Sequence, residues 1–324
     1  MAVKMTMAGT RAGTTTRAKA ELTLGPVLFH WPADVWRDFY FRIADEAPVD
    51  AVCLGEVVCH KRAPFIEPYL DAVAARLKGA GKRVVFATLA EVMLRAERRL
   101  VEAVCGIDDH LVEANDVSAL SHLAGRPHHI GPYLNVYNED TLQFLAGKGA
   151  VQVCLPAELP ASALAVLGAA AGALGVTLEV QVFGRLPLAL SARCYHARLN
   201  GRTKDSCQYA CESDPDGLVL NTLEGTPFLA INGIQTLSHS CLNLAGELAQ
   251  LNDMGIAGLR LSPHSCDMVA VAKIFRCVAD GALGPDEADA RLAALDPPGP
   301  FANGFFHGRP GCTRTSADGA PGTR

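Results

Sequence analysis

The 324-residue chain has no apolar run long enough for a membrane-spanning helix, which takes about 18 residues or more. Its richest stretch, 161–176, is broken by Gly168, Gly172 and Gly175 and reads as a helix of small residues. Neither sign of charge dominates: 29 Lys and Arg against 34 Asp and Glu leave a formal charge of −5. That balance supplies no global basic field for nucleic acid or an anionic membrane surface. Aromatic residues make up only 6%, and both H-E-x-x-H and G-x-S-x-G are missing, which argues against a zincin site or a nucleophile elbow. A secretory signal is also missing: Lys4, Arg11, Arg17 and Lys19 precede the first acid, Glu21, with no apolar core between them. Residues 1–21 are expected to be a disordered leader. An odd count of 11 cysteines without an export signal points to a cytoplasmic, reducing setting with free thiols.

Three of those thiols crowd one stretch. Cys194, Cys207 and Cys211 are separated by twelve and three residues, among Arg193, His196, Arg198, Arg202 and Lys204. Positive neighbours favour the thiolate, the form that binds metal. Three thiolates leave a tetrahedral site one ligand short, so a fourth donor has to come from elsewhere. The spacing makes neither the two-residue knuckles of structural zinc nor the three-cysteine run of a radical-SAM enzyme, since Asp214 stands where a third cysteine would fall. On spacing alone an iron–sulfur cluster, zinc and no metal all stay open.

Around this stretch short β-type runs alternate with helical ones. Strands are expected at 22–29, 49–54, 83–88, 110–114, 130–136, 151–155, 177–183 and 258–261. Helices are expected at 33–45, 65–78, 91–105, 117–123, 140–145, 161–174, 242–251 and 268–278. The seventh helix is delayed by the cysteine stretch and two further β-type runs, 218–220 and 227–231. Eight β-then-α units over roughly 260 residues predict an α/β fold, a (β/α)8 TIM-barrel-like single domain with an enlarged cysteine-bearing loop after the seventh strand. A doubly wound open sheet is the alternative. The barrel is placed at 22–284, and a C-terminal helix and Gly/Pro-rich tail at 285–324, its last dozen residues disordered.

Barrel chemistry gathers on the face where strands end. That rule leaves two cysteines to complete the triplet, Cys59 after the second strand and Cys266 after the eighth. Cys53, Cys105, Cys154, Cys241 and Cys277 read as small apolar groups in strands or at helices, and Cys312 lies in the tail.

Several motifs are similar to those of a known family. They are Leu24-Gly25-Pro26-Val27-Leu28 with Trp31-Pro32, Leu54-Gly55-Glu56-x-x-Cys59-x-Lys61-Arg62, and Arg185 through Arg193-Cys194. Lys204-Asp205-x-Cys207-x-x-x-Cys211, Asn232 through Thr236 and Arg260-Leu261-Ser262-Pro263 complete the set. From about Leu22 to about Gly281 the chain resembles the ubiquinone-biosynthesis members of the collagenase-like peptidase family. The resemblance implies a barrel-like domain and a [4Fe–4S] cluster held by Cys59, Cys194, Cys207 and Cys211. It implies a heterodimer with a paralogue, UbiU, required for oxygen-independent ring hydroxylation of ubiquinone precursors. A lipid-carrier-like protein, UbiT, is implied as a further partner, and prephenate as a source of the hydroxyl group. Cys266 falls outside the family pattern.

Four cysteine ligands advertise no open iron, so electron transfer is expected ahead of Lewis-acid or structural roles. Arg62, Arg193 and Arg198 are candidates for an anionic donor, each with a rival reading as solvated loop charge. Glu56 and Glu113 stand near strand ends, where carboxylates do acid–base work or pair with Arg. His30, His128, His129, His196 and His264 have no diagnostic spacing and take no catalytic role. Two other functions remain in view: a metal-dependent peptidase, as the family name suggests, and a non-catalytic subunit that stabilises its partner.

Overall fold

The computed structural model describes residues 20–107 and 109–315. The expected leader and the last nine residues of the tail lie outside these, apart from Ala20 and Glu21. Among the described residues, seven strands follow one another in parallel. They are β1 (Glu21–Leu24), β2 (Ala51–Leu54), β3 (Arg83–Ala87), β4 (Leu111–Ala114), β5 (His128–Ile130), β6 (Ala150–Leu155) and β7 (Thr177–Leu190). Three more, β8 (Leu218–Asn221), β9 (Pro227–Asn232) and β10 (Gln235–Asn243), precede β11 (Gly258–Leu261), and β12 (Phe301–Ala302) comes last. β11 pairs in parallel with β1 through Leu22↔Leu259 and with β7 through Val180↔Leu259, which closes an eight-stranded barrel of β1–β7 and β11.

The wall strands are short because each is buried on both faces and must end where the chain turns back to solvent. The helices that follow them form the outer ring: α1 (Ala33–Glu46), α2 (Ala63–Gly79), α3 (Arg95–Cys105), α4 (Val117–Leu123), α5 (Glu139–Gly147) and α6 (Ala161–Leu174). In α1, Trp36, Tyr40 and Ile43 recur at helical spacing and turn one apolar stripe onto the wall. α6 ends at Gly175, whose φ of 68° supplies the left-handed cap that a side chain would resist. α7 (Tyr195–Leu199) and α8 (Leu248–Asp253) lie between β7 and β11, and α9 (Met268–Ala279) and α10 (Pro285–Ala293) follow.

The barrel interior is not purely apolar. The Arg260 guanidinium sits between two carboxylates, with Nε 2.5 Å from Glu179 and its terminal nitrogens on Glu113. Asn115 Nδ2 donates to Glu113 at 3.2 Å and Gln152 Nε2 to Glu179 at 3.1 Å. Burial works against ionising Glu113, but Arg260 and Asn115 hold its pKa below the usual carboxylate value. Of the readings open for Glu113, the structure shows the ion pair with Arg.

Beyond the barrel rim the seventh unit departs from the pattern. β7 runs seven residues past the expected end at Phe183 and pairs antiparallel with β10, which carries β9 and then β8. The first two residues of the helix expected at 242–251 are strand instead: β10 continues to Asn243, Cys241 lies in a strand, and α8 begins only at Leu248, after a 3-10 turn. Ser238, Ser240 and Asn243 along β10 are buried yet polar, with Ser238 Oγ receiving Leu186 N at 2.8 Å, so the run carries no apolar signature. The fifth strand sits earlier than expected, at His128–Ile130, because the chain turns at Pro132 and Asn135 adopts φ 54°. α10 is the helix expected at the start of 285–324, and the segment after it returns to the barrel. There Phe301–Ala302 pair with β10, and Phe306 O accepts Ala161 N at 2.9 Å.

Arg185 ties the antiparallel extension to the barrel. It donates through Nε to Asp216 O at 3.0 Å, through Nη1 to Ser238 O at 2.8 Å and through Nη2 to Pro298 O at 2.7 Å. Its backbone N–H donates to His264 Nε2 at 2.9 Å, which leaves the proton on Nδ1, facing Asp216 at 3.0 Å.

Replacing Arg260 with Met strands two buried carboxylates and is expected to destabilise the fold by about 3–5 kcal/mol at neutral pH. Urea unfolding measures this. The deficit should shrink as pH falls into the carboxylate range, because protonation removes the uncompensated charge.

Candidate metal centre

The loop that carries Cys59 starts at Gly55. Its φ is 118°, and a Cβ there would stand 2.8 Å from Ala87 O, so only glycine lets the chain leave β2 across the barrel mouth. Glu56 then holds the loop by accepting Val58 N at 2.7 Å and Cys59 N at 2.9 Å on one carboxylate oxygen. Val57 and Val58 pack with Leu28, Ala87, Ala90 and Ile234 into a small apolar cluster, against which Cys59, Cys194, Tyr133 and Leu190 lie. Ile234 belongs to the turn between β9 and β10, so this hairpin plugs the mouth of the barrel.

The other three thiols come from the excursion after β7. Cys194 precedes α7 and its sulfur accepts Ala197 N at 3.4 Å. Between Cys207 and Cys211, Gln208 and Tyr209 adopt φ of 48° and 51°, a sparsely populated region for residues with side chains. Aromatic packing sustains that conformation: the Tyr209 ring lies 4.9 Å from Phe65 and 5.6 Å from His30, centroid to centroid. Lys61 clips the excursion to the Cys59 loop by donating to Lys204 O at 2.7 Å and Asp205 O at 3.0 Å. Lys204 in turn reaches Glu91 and Glu97, each at 3.5 Å.

These elements bring Cys59, Cys194, Cys207 and Cys211 onto one pocket, together with Lys61, Arg62, His196, Lys204 and the Gly233–Ile234 turn. Among the described residues no three Cys, His, Asp or Glu side chains converge on a single ion. The thiols surround the pocket rather than closing on a common point. The cavity between them is narrow, about 20 Å³. The excursion that carries three of them consists of loop, one five-residue helix and a single 3-10 turn.

Burial pushes the Cys59 thiol up to about 11, with Arg62 pulling it back. Burial also raises Cys211, again against Arg62. Arg62 is only 2% exposed; Nη1 donates to Leu28 O at 2.9 Å and Nη2 to Asn232 Oδ1 at 2.9 Å. Among the described residues its Nε has no partner; neither has His196 Nδ1, an acceptor when the opposite nitrogen donates to Asp214 at 2.9 Å. Buried donors are ordinarily satisfied, and the unfilled Arg62 donor beside a pocket walled by thiols suits an anionic sulfur-rich group. The donor set fits a cluster of iron and sulfide, with four thiolates as ligands and lysine and arginine offsetting their charge.

Arg193 and Arg198 stand apart from this pocket and are exposed. Cys266 is held elsewhere, its sulfur 3.8 Å from Met268 Sδ. Of the other histidines, His264 is tied to Asp216, and His128 and His129 lie in β5, the latter held down to about 4 by burial. Sequence reasoning counted Lys204 among the positive neighbours of the thiols, and quoted Lys61 and Gly233–Ile234 only within motifs, without placing them at the pocket.

Glu56→Ala removes the one acceptor for two backbone donors. A loss of about 1–3 kcal/mol is expected in denaturant unfolding. Maleimide labelling of Cys59 should quicken as its loop is released; unchanged labelling would deny Glu56 this role.

Residues 40–316 match peptidase family U32. Solved structures similar to the chain are distant. A dihydrodipicolinate synthase family protein from Coccidioides immitis has 11% identity and a TM-score of 0.45, with 86% of this chain and 78% of that chain covered. Homocysteine methyltransferase MmuM from Escherichia coli has 12% identity and a TM-score of 0.40, with 82% and 97% covered. A Clostridium thermocellum protein that binds two copies of 5-methyl-5,6,7,8-tetrahydrofolic acid has 8% identity and a TM-score of 0.43, with 86% and 96% covered. At such identities and TM-scores these likenesses carry no argument. The family match, by contrast, spans most of the chain, which belongs to peptidase family U32.

Proposed function

We propose that the chain is the UbiV-type iron–sulfur subunit of a UbiU–UbiV heterodimer that hydroxylates ubiquinone precursors without dioxygen. The observation that carries this reading is the meeting of Cys59 with Cys194, Cys207 and Cys211 on one buried, cation-lined pocket, more than a hundred residues apart in the chain. A [4Fe–4S] cluster bound there would supply one-electron transfer.

The chain's own residues fit that role. Four thiolates occupy four irons and leave none for substrate, which favours electron transfer over Lewis-acid chemistry. Arg62 and Lys204 place positive charge beside the thiols, a setting that favours the more negative, reduced state. The apolar plug of Val57, Val58, Leu28 and Ile234 keeps water from the barrel side. A peptidase reading draws only on the family's name, since the pocket offers thiols and cations where hydrolysis needs an activated water or nucleophile.

The test is anaerobic purification with UbiU co-expressed. About four irons and four sulfides per chain are expected, the composition of a [4Fe–4S] centre. Alanine at Cys59, Cys194, Cys207 or Cys211 should lower iron content sharply and abolish anaerobic but not aerobic quinone synthesis. Cys266→Ala should leave both intact. Full iron content in the Cys59→Ala protein would remove it from the ligand set, and product formation by folded, iron-free protein would reduce the cluster to a structural part.

A further inference from the structure

Between α3 and α4, on the outside of the barrel, lies a groove of about 590 Å³. Arg95, Arg98 and Arg99 come to it from α3, and Ser118, Ser121 and His122 from α4. Spacings of three and four residues put the three arginines on one helix face, where like charges repel. Elsewhere the chain answers its helical arginines with acids: Arg42 with Glu46, Arg76 with Asp45 and Arg291 with Glu287. None of the three in the groove has an ion pair or side-chain hydrogen bond among the described residues, although Glu102 stands four residues from Arg98. The Ser118 hydroxyl is buried and has no partner among the described residues either. Groups left unanswered by the fold suit an anion from outside it.

The end of the groove nearest the barrel mouth is apolar. α3 and α4 follow the wall strands β3 and β4, so their first residues stand on the rim where strands end. Met93 and Leu94, just before α3, are 50% and 47% exposed, and Val117, which opens α4, is 68% exposed. This rim is not slack chain. One oxygen of Glu97 accepts Met93 N and Leu94 N, each at 2.8 Å, and Glu97 is bonded in turn to His60 and Lys204. Asp116, the acid beside Val117, is engaged as the cap of α4, accepting Ser118 N at 2.8 Å. Arg95 to Arg99 covers about 6 Å of helix axis, close to the depth of one headgroup layer of a bilayer. Glu102 lies about 4.5 Å further along, beyond that depth.

We propose that this groove docks the chain on an anionic membrane surface. Met93, Leu94 and Val117 enter the headgroup boundary, and Arg95, Arg98 and Arg99 bind lipid phosphates. Cations beside a small apolar tip are the composition of an interfacial anchor. The overall charge of −5 opposes such docking at long range, so contact depends on this local cluster. A nucleic acid fits less well, because no Phe, Tyr or Trp lines the groove for a base to stack on. A soluble phosphate compound shares the chemistry but leaves the apolar tip uncovered. The docking rests on none of the thiols, and it turns the rim beside their pocket toward the bilayer.

The test is co-sedimentation of the full chain, purified anaerobically, with vesicles of about 30% phosphatidylglycerol in phosphatidylcholine. Binding is expected, about tenfold weaker on pure phosphatidylcholine, and lost at about 0.5 M NaCl. Arg95→Gln with Arg99→Gln should weaken it about ten- to thirtyfold, the effect of two cations at a charged surface. Met93→Ser with Leu94→Ser should weaken it about tenfold, through the apolar area withheld from the boundary. Iron content and thermal unfolding should match the parent protein in both variants. Equal binding to neutral vesicles, indifference to either pair of substitutions, or no binding at all overturns the proposal. Tighter binding of pyrophosphate than of vesicles would mark a soluble phosphate ligand, and tighter binding of polyglutamate an acidic protein; either result overturns it as well.

Discussion

The guanidinium of Arg62 has to be satisfied where water does not reach. It is the point at which four separate parts of the chain meet: the loop after β1 through Leu28 O, its own loop after β2, the β9–β10 hairpin through Asn232, and the cysteine excursion through Cys211. A buried charge with part of its donor set unfilled is expensive, and the surroundings must supply negative partners. Thiolates do so. The hairpin is shaped to the same group: Gly233 has φ 61°, and a Cβ there would come within 2.9 Å of Arg62 Nη2. Placing the four cysteines and plugging the barrel mouth are two results of one requirement.

The barrel rests on a similar solution one layer down. Arg260 joins Glu113 and Glu179 across the interior, which ties strands β4, β7 and β11 through side chains as well as backbone. Here all three guanidinium nitrogens are bonded to carboxylates, and Asn115 and Gln152 donate to the same pair. The two arginines differ in that respect. One completes a core; the other has a donor to spare.

How legible this was in the sequence varies by element. The eight βα units were readable because most wall strands are short apolar runs and most helices carry a stripe. β5 was misplaced since His128 and His129, both buried, break the apolar run that marks a wall strand. β10 was taken in part for a helix because its buried side is polar and bonded to neighbours distant in sequence. Cys194, Cys207 and Cys211 announced themselves by spacing, whereas Cys59 and Cys266 both followed strands, and only the basic flank of Cys59 favoured it before the family resemblance. Arg62 read as a charge with an exposed rival reading. Its burial depends on Asn232, 170 residues away, a contact that no local pattern encodes.

The excursion between β7 and β10 has a property that follows from where it begins and ends. Its two flanking strands are antiparallel neighbours with Leu190 paired to Gln235, so the chain leaves and re-enters at fixed, adjacent points. For such a segment the entropy of closure grows only slowly, each doubling of length adding about 0.6 kcal/mol. Length is therefore a weakly constrained variable in this part of the molecule. Relatives with longer or shorter excursions on the same barrel are thermodynamically accessible, provided the anchors at Arg185 and Lys61 are kept.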